Sequence, residues 1–127
     1  MNKSALSTYF ADAAIADSVF GKLDCVRFVI EALYVGWGTD FRDVLGYSDR
    51  KTACARLRLS GGLEQAFTDE LGDPVAPTEL KTGDIAYFED PGVGLVMDSY
   101  VAVKFGNTIG RVPLQFVSKG WKTWVQS

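Results

Sequence analysis

Asp24-Cys25-Val26-Arg27-Phe28-Val29-Ile30-Glu31-Ala32-Leu33 and, downstream, Lys81-Thr82-Gly83-Asp84-Ile85-Ala86-Tyr87-Phe88 are the two stretches whose reading decides the fold. In the first, Val26, Val29, Ile30 and Leu33 recur at steps of three and four, the period of an α-helix. Phe28 and Ala32 widen that apolar face, so the segment reads as a largely buried helix ending near Gly36-Trp37-Gly38. Asp24 suits its N-cap, where a carboxylate accepts an orphan backbone N–H. In the second stretch a turn closes at Gly83-Asp84 and the next four residues make an apolar strand.

Outward from these anchors the chain divides in two. Residues 4–20 read as a first helix with Leu6, Tyr9, Phe10, Ala13, Ile15 and Phe20 on its buried stripe and Gly21 as its stop. Thr39 and Asp40 cap a short helix over 41–45, and Ser48 or Asp49 starts another through 50–59. Gly61-Gly62 breaks it before a helix over 63–71, and Pro74 and Pro77 make 72–77 a loop. Beyond residue 80 the helical period disappears. Strands are predicted at 93–97, 100–105 and 109–114, with 121–125 as an aromatic edge strand, separated by turns at 89–92, 98–99 and 106–107. Helices followed by a meander define an α+β fold of one domain, 1–127, with four or five N-terminal helices packed on a C-terminal antiparallel sheet of four to six strands.

Composition narrows the function. The 127 residues are 47% hydrophobic and 23% charged, enough for one core. With a net charge of −3 and 13 scattered Lys and Arg residues, no basic stripe is available for nucleic acid. No apolar run reaches the roughly 20 residues that span a bilayer, so no membrane insertion is expected. The first ten residues are too polar for a signal peptide. Two cysteines, Cys25 and Cys54, each fall inside a predicted helix and are expected as free thiols. Without histidine or a CxxC pair no zinc site is expected, and no cofactor is implied.

Cys25 stands where a thiol becomes reactive, because the dipole and free N–H groups of a helix N-terminus favour the thiolate. Such a nucleophile needs a base, ordinarily an imidazole, and this chain contains none. The plain alternative is a buried small hydrophobe that happens to start a helix.

Asp24-Cys25-Val26-Arg27-Phe28-Val29 and Lys81-Thr82-Gly83-Asp84-Ile85 resemble two motifs of the NlpC-type cell-wall hydrolases, a compact branch of the papain-like cysteine peptidases. The resemblance implies a papain-like or NlpC-like fold with Cys25 at the nucleophile position. In that family the base lies in an H-V-G run at the start of the next strand. Gly92-Val93-Gly94-Leu95 aligns with it, which leaves Gly92 where the histidine would be. The residue that orients the imidazole would fall near Lys104. By the same alignment Lys104, Asp98 and Asp84 are the candidates for a substitute base. A lysine base would need burial to lower its pKa by several units, and a carboxylate is a weak base toward a thiol near 8.5.

More narrowly, Gly61-Gly62-Leu63-Glu64, Val112-Pro113-Leu114 and Trp121 are similar to small NlpC-related proteins of phage and prophage tail genes. That likeness implies a tail-tip or baseplate component in the virion, or in the host cytoplasm during assembly. Its partners would be other tail and baseplate proteins, with a peptidoglycan contact. The expected function is structural, with Cys25 a vestigial nucleophile. The rival is a cell-wall endopeptidase or amidase with an unconventional base, and a third class is an immunity-type binding protein that uses the cleft as a recognition pocket.

Several residues have plain structural readings. Asp24 reads as a helix cap, Asp84 as a turn-closing carboxylate and Cys54 as core. Arg50, Lys51, Arg56 and Arg58 read as a solvated helix side, with an acidic neighbour as the second option. Trp121 and Trp124 either cover the sheet edge or anchor an interface.

Overall fold

Helix α2, Cys25–Trp37, is the centre of the molecule because its sequence is apolar almost all round. Phe28, Val29, Ile30, Ala32 and Leu33 have no solvent exposure, and only Tyr34 is exposed among its large apolar side chains. In a computed structural model that describes residues 1–15, 25–39, 62–89, 92–105 and 108–123, one flank of α2 meets helix α1, Lys3–Ile15. Another flank packs on a five-stranded antiparallel sheet. A third helix, α3, is Leu63–Leu71. The strands are β1 Ile85–Phe88, β2 Gly92–Val96, β3 Val101–Phe105, β4 Thr108–Val112 and β5 Lys119–Trp121, in the order β4-β3-β2-β1-β5. The fold is α+β, as the change of hydrophobic period at residue 80 requires.

The first two helices run antiparallel. The Asn2 amide donates to the Gly36 carbonyl at 2.6 Å, while the Tyr9 hydroxyl donates to the Phe28 carbonyl at 3.3 Å. Asn2 also caps α1, its Oδ1 accepting the Ala5 amide at 3.0 Å. Leu6 lies against Gly36, and Tyr9 stacks on Phe28 with ring centroids 5.7 Å apart. Among the described side chains of α1 the buried stripe is Leu6 and Ala13, flanked by half-buried Tyr9 and Phe10, while the Ile15 side chain expected on it lies outside the described residues. Expectations for residues 16–24, for helices over 41–45 and 50–59, and for Cys54, Trp124 and the basic residues at 50–58 lie outside the described residues.

Side chains alternate across the sheet, and both faces are buried. Ile85, Tyr87, Val93, Leu95, Ala102 and Trp121 face the helices. Ala86, Val96, Val101 and Val103 face the other way, under Leu80 and Val117. Gly94 is required on this second face. A Cβ there would stand 2.5 Å from Val101 Cγ1 and 2.9 Å from the Ala102 carbonyl oxygen. Residues 93–97, 100–105 and 109–114 were expected as strands, and each is found within one or two residues of those bounds. Pro113, which has no N–H to give a ladder, stands just past the end of β4.

The tail differs from expectation. The last described strand is 119–121, with 122–123 outside any strand and 124–125 of the expected 121–125 strand outside the described residues, and it pairs with β1 on one side and bridges Val75 on the other. Trp121 is completely buried, which excludes it as an interface anchor. It stacks on Phe67 at 5.0 Å, meets Tyr87 edge-on at 5.7 Å, and donates its Nε1–H to Thr68 Oγ1 at 3.2 Å. Asp84 holds this tail in place. Its carboxylate accepts the Lys81 amide at 2.8 Å and the Thr123 amide at 3.2 Å, and it pairs with the Lys122 ammonium. The turn itself needs Gly83 at φ 98°, and the Thr123 hydroxyl donates to the Gly83 carbonyl.

Gly94→Ala is expected to cost about 2–3 kcal/mol in chemical denaturation, because the neighbouring carbonyl cannot move aside without disturbing the β2–β3 pairing. Asp84→Asn, which keeps the shape but removes the charge facing Lys122, should cost about 1–3 kcal/mol by the same measurement. Tyr9 governs an alkaline limit. Burial first, and Glu31 second, hold its phenol well above the ordinary value near 10. Above that pH the unfolded chain releases a proton that the folded chain retains, so stability is complete below about pH 10 and falls above it. Tyr9→Phe should flatten that fall in melts taken between about pH 9 and 12.

Candidate functional site

The direction of α2 fixes where its N-terminus lies on the sheet. The first turns of α1 line a groove with Met97, Tyr100 and Arg111, at the end where β2 turns into β3. The start of α1 also holds the end of α2, through Asn2 and Leu6 against Gly36. The opposite end of α2 therefore points toward the start of β2 and the finish of β3. Thirteen residues of helix span about 20 Å and five of strand about 17 Å, so the two elements are matched in length. Cys25 is the first residue of α2, as its pattern predicts. Its side chain, like Asp24, lies outside the described residues.

The two aligned positions share that end of the sheet but not the same face. Gly92 has the parity of Gly94 and Val96, on the face turned away from α2. A Cβ at Gly92 would meet nothing within 4 Å. Gly92 is the position that the sequence resemblance aligns with the family's imidazole. A side chain there would project from the far face and not toward the helix. Lys104 is different. It pairs with Ile109 across β3 and β4, shares the face of Ala102, and is 4% exposed on the side packed by α2. It is not without a partner, as a buried ammonium requires.

The two carboxylates named as candidate substitute bases lie at the end of β2 remote from Gly92. Asp84 precedes β1, beside Val96, whose amide donates to the Asp84 carbonyl at 2.9 Å. Its side chain is 3% exposed and occupied by Lys81, Lys122 and Thr123, which is the turn-closing role expected of it. Asp98 sits in the β2–β3 connection, exposed, and accepts the Thr82 hydroxyl at 2.7 Å. Of Lys104, Asp98 and Asp84, only Lys104 shares both the end and the face of the α2 N-terminus.

Other polar groupings have structural roles. Lys119 pairs with Glu64 of α3 and lies 6.0 Å from the Tyr87 ring centroid, joining α3 to the sheet beside Trp121. The Glu64 hydrogen bond raises the Lys119 pKa, and burial with Glu89 nearby raises that of Tyr87. Arg27 and Glu31 pair at 3.0 Å along α2. Among the described residues no group of three or more acidic or cysteine side chains is arranged to hold a metal ion. Sequence reading missed the groove that joins Lys3 to Tyr100 and Arg111. The only local signal was the spacing of Lys3, Ser7 and Phe10 on one side of α1.

No helix among the described residues is long and apolar enough to cross a membrane. No curated protein sequence matches the chain. A family model does match it, over residues 2–123, nearly the whole of the architecture just described. By that match the chain belongs to the DUF6950 family, a domain of unknown function.

Proposed function

We propose that the protein is a structural component of a phage or prophage tail tip or baseplate, built on an NlpC-like, papain-related framework that no longer performs hydrolysis. One observation carries the loss of chemistry. The chain has no histidine, and the position aligned with the family's base, Gly92, lies on the sheet face turned away from the helix that Cys25 begins. A thiol without an imidazole lacks the ion pair that supplies thiolate at neutral pH, and general-base help is worth about 10² to 10⁴ in rate. The element order supports the framework, since a cysteine-led helix packs on an antiparallel sheet that starts with a Gly-Asp turn. The tail setting rests on the likeness of Gly61-Gly62-Leu63-Glu64, Val112-Pro113-Leu114 and Trp121 to tail-gene proteins.

A second reading has a specific observation in its favour. Lys104 is buried on the α2 face at the end of the sheet where Cys25 lies. A cysteine amidase or endopeptidase using Lys104 in place of imidazole would place its chemistry there.

The expected outcome is no turnover of muropeptides by the purified chain and no change in tail assembly with Cys25→Ala. A thiol-reactive probe should label Cys25 only above about pH 8.5, or not at all. Gly92→His should leave turnover absent, because the new ring projects from the far face. Turnover abolished by both Cys25→Ala and Lys104→Met, with rapid labelling below pH 7, would establish the enzyme reading instead. Mass spectrometry of purified particles should find the chain among the virion proteins, and its absence there would remove the tail assignment.

A further inference from the structure

The end of the molecule remote from Cys25 carries a groove of about 410 Å³ between α1 and the start of β3. Phe10, Met97 and Tyr100, all half-buried, form its apolar wall. Lys3 and Arg111 stand exposed at its rim, and the Arg111 guanidinium lies 4.8 Å over the Tyr100 ring. Among the described residues neither cation forms an ion pair with a carboxylate. Asp98 also lines the groove, with its carboxylate engaged by the Thr82 hydroxyl. In a chain of net charge −3, this is a local reversal of sign around an apolar wall.

We propose that this groove docks a short segment of an acidic partner protein. An aliphatic or aromatic side chain of that segment seats against Phe10, Met97 and Tyr100, and a neighbouring carboxylate pairs with Lys3 and Arg111. Charge complementarity selects the sign of the partner, and the solvent-open side of the groove suits a passing chain segment better than an enclosed small molecule. The inference rests on the reading of the protein as an assembly component and names the chemistry of its neighbour. It stands at the end of α2 opposite Cys25, so its failure would leave the thiol and turnover experiments unaffected.

The test uses the full chain labelled with ¹⁵N and two blocked hexapeptides, Gly-Asp-Leu-Phe-Glu-Gly and its counterpart with lysine at both acidic positions. The acidic peptide should shift the amides of groove residues, bind more weakly as salt rises, and lose about tenfold in affinity in the K3E/R111E double variant. K3R/R111K should retain binding, and the lysine peptide should not bind. If the double variant melts early, Met97→Glu and the salt series on the unaltered chain make the same test. Equal binding of both peptides, affinity independent of salt, or an acidic-peptide Kd weaker than about 1 mM would overturn the proposal. So would displacement of the peptide by acetate at low concentration, which would mark a small-anion site. A dimer of this chain abolished by K3E/R111E would overturn it in favour of a second copy as occupant.

Discussion

The Asp84 carboxylate is the constraint on which the rest of the sheet depends. It is almost fully buried, and burying a charge is tolerable only when hydrogen bonds and a counter-ion replace its water. Two backbone amides and the Lys122 ammonium do so. Those donors come from the turn before β1 and from the residues after β5, so one side chain ties together segments almost forty residues apart in sequence. The tie holds β5 against β1, and with it Trp121 between Phe67 and Tyr87. The same engagement occupies both carboxylate oxygens of Asp84.

A second constraint acts through the pleat. The sheet is buried on both faces, so the parity of every residue along a strand decides which compartment it enters. Val93 and Leu95 go to the helices, while Gly92, Gly94 and Val96 go to the opposite side. Gly94 has no room for a side chain there, and this locks the register of β2 on β3. Among the described residues, the β2 positions of the other parity, Val93 and Leu95, are apolar, and Lys104 on β3 is a charged group on the same face.

Much of this architecture was legible in local pattern. The helix at 25–37, the helix at 63–71 and the four strands from 85 to 112 have periods that few other structures can satisfy. Asp84 as a turn carboxylate was legible from Gly83 beside it. What was hidden is what depends on distant partners. Trp121 lies near the end of the sequence, where exposure is the ordinary expectation, yet three residues from α3 and β1 enclose it. The face taken by Gly92 follows from what Val93 and Leu95 pack against, which no local spacing encodes. The groove around Lys3 and Arg111 needs α1 to lie over β4, a contact between residues a hundred positions apart.

The placement of β5 has a consequence for how the molecule comes together. Strands β1 to β4 are joined in sequence order by short connections, so their ladders can zip by local closure. The fifth strand pairs instead with the first, and the chain must return past the three strands between β4 and that edge to reach it. Until that return is made, the slot between Phe67 and Tyr87 is an open apolar trough. A chain halted at this stage is sticky toward the same strand of another copy, and exchange of the tail between two molecules would fill the vacancy in each. Slow refolding at high concentration is thus where this protein is most exposed to misassembly.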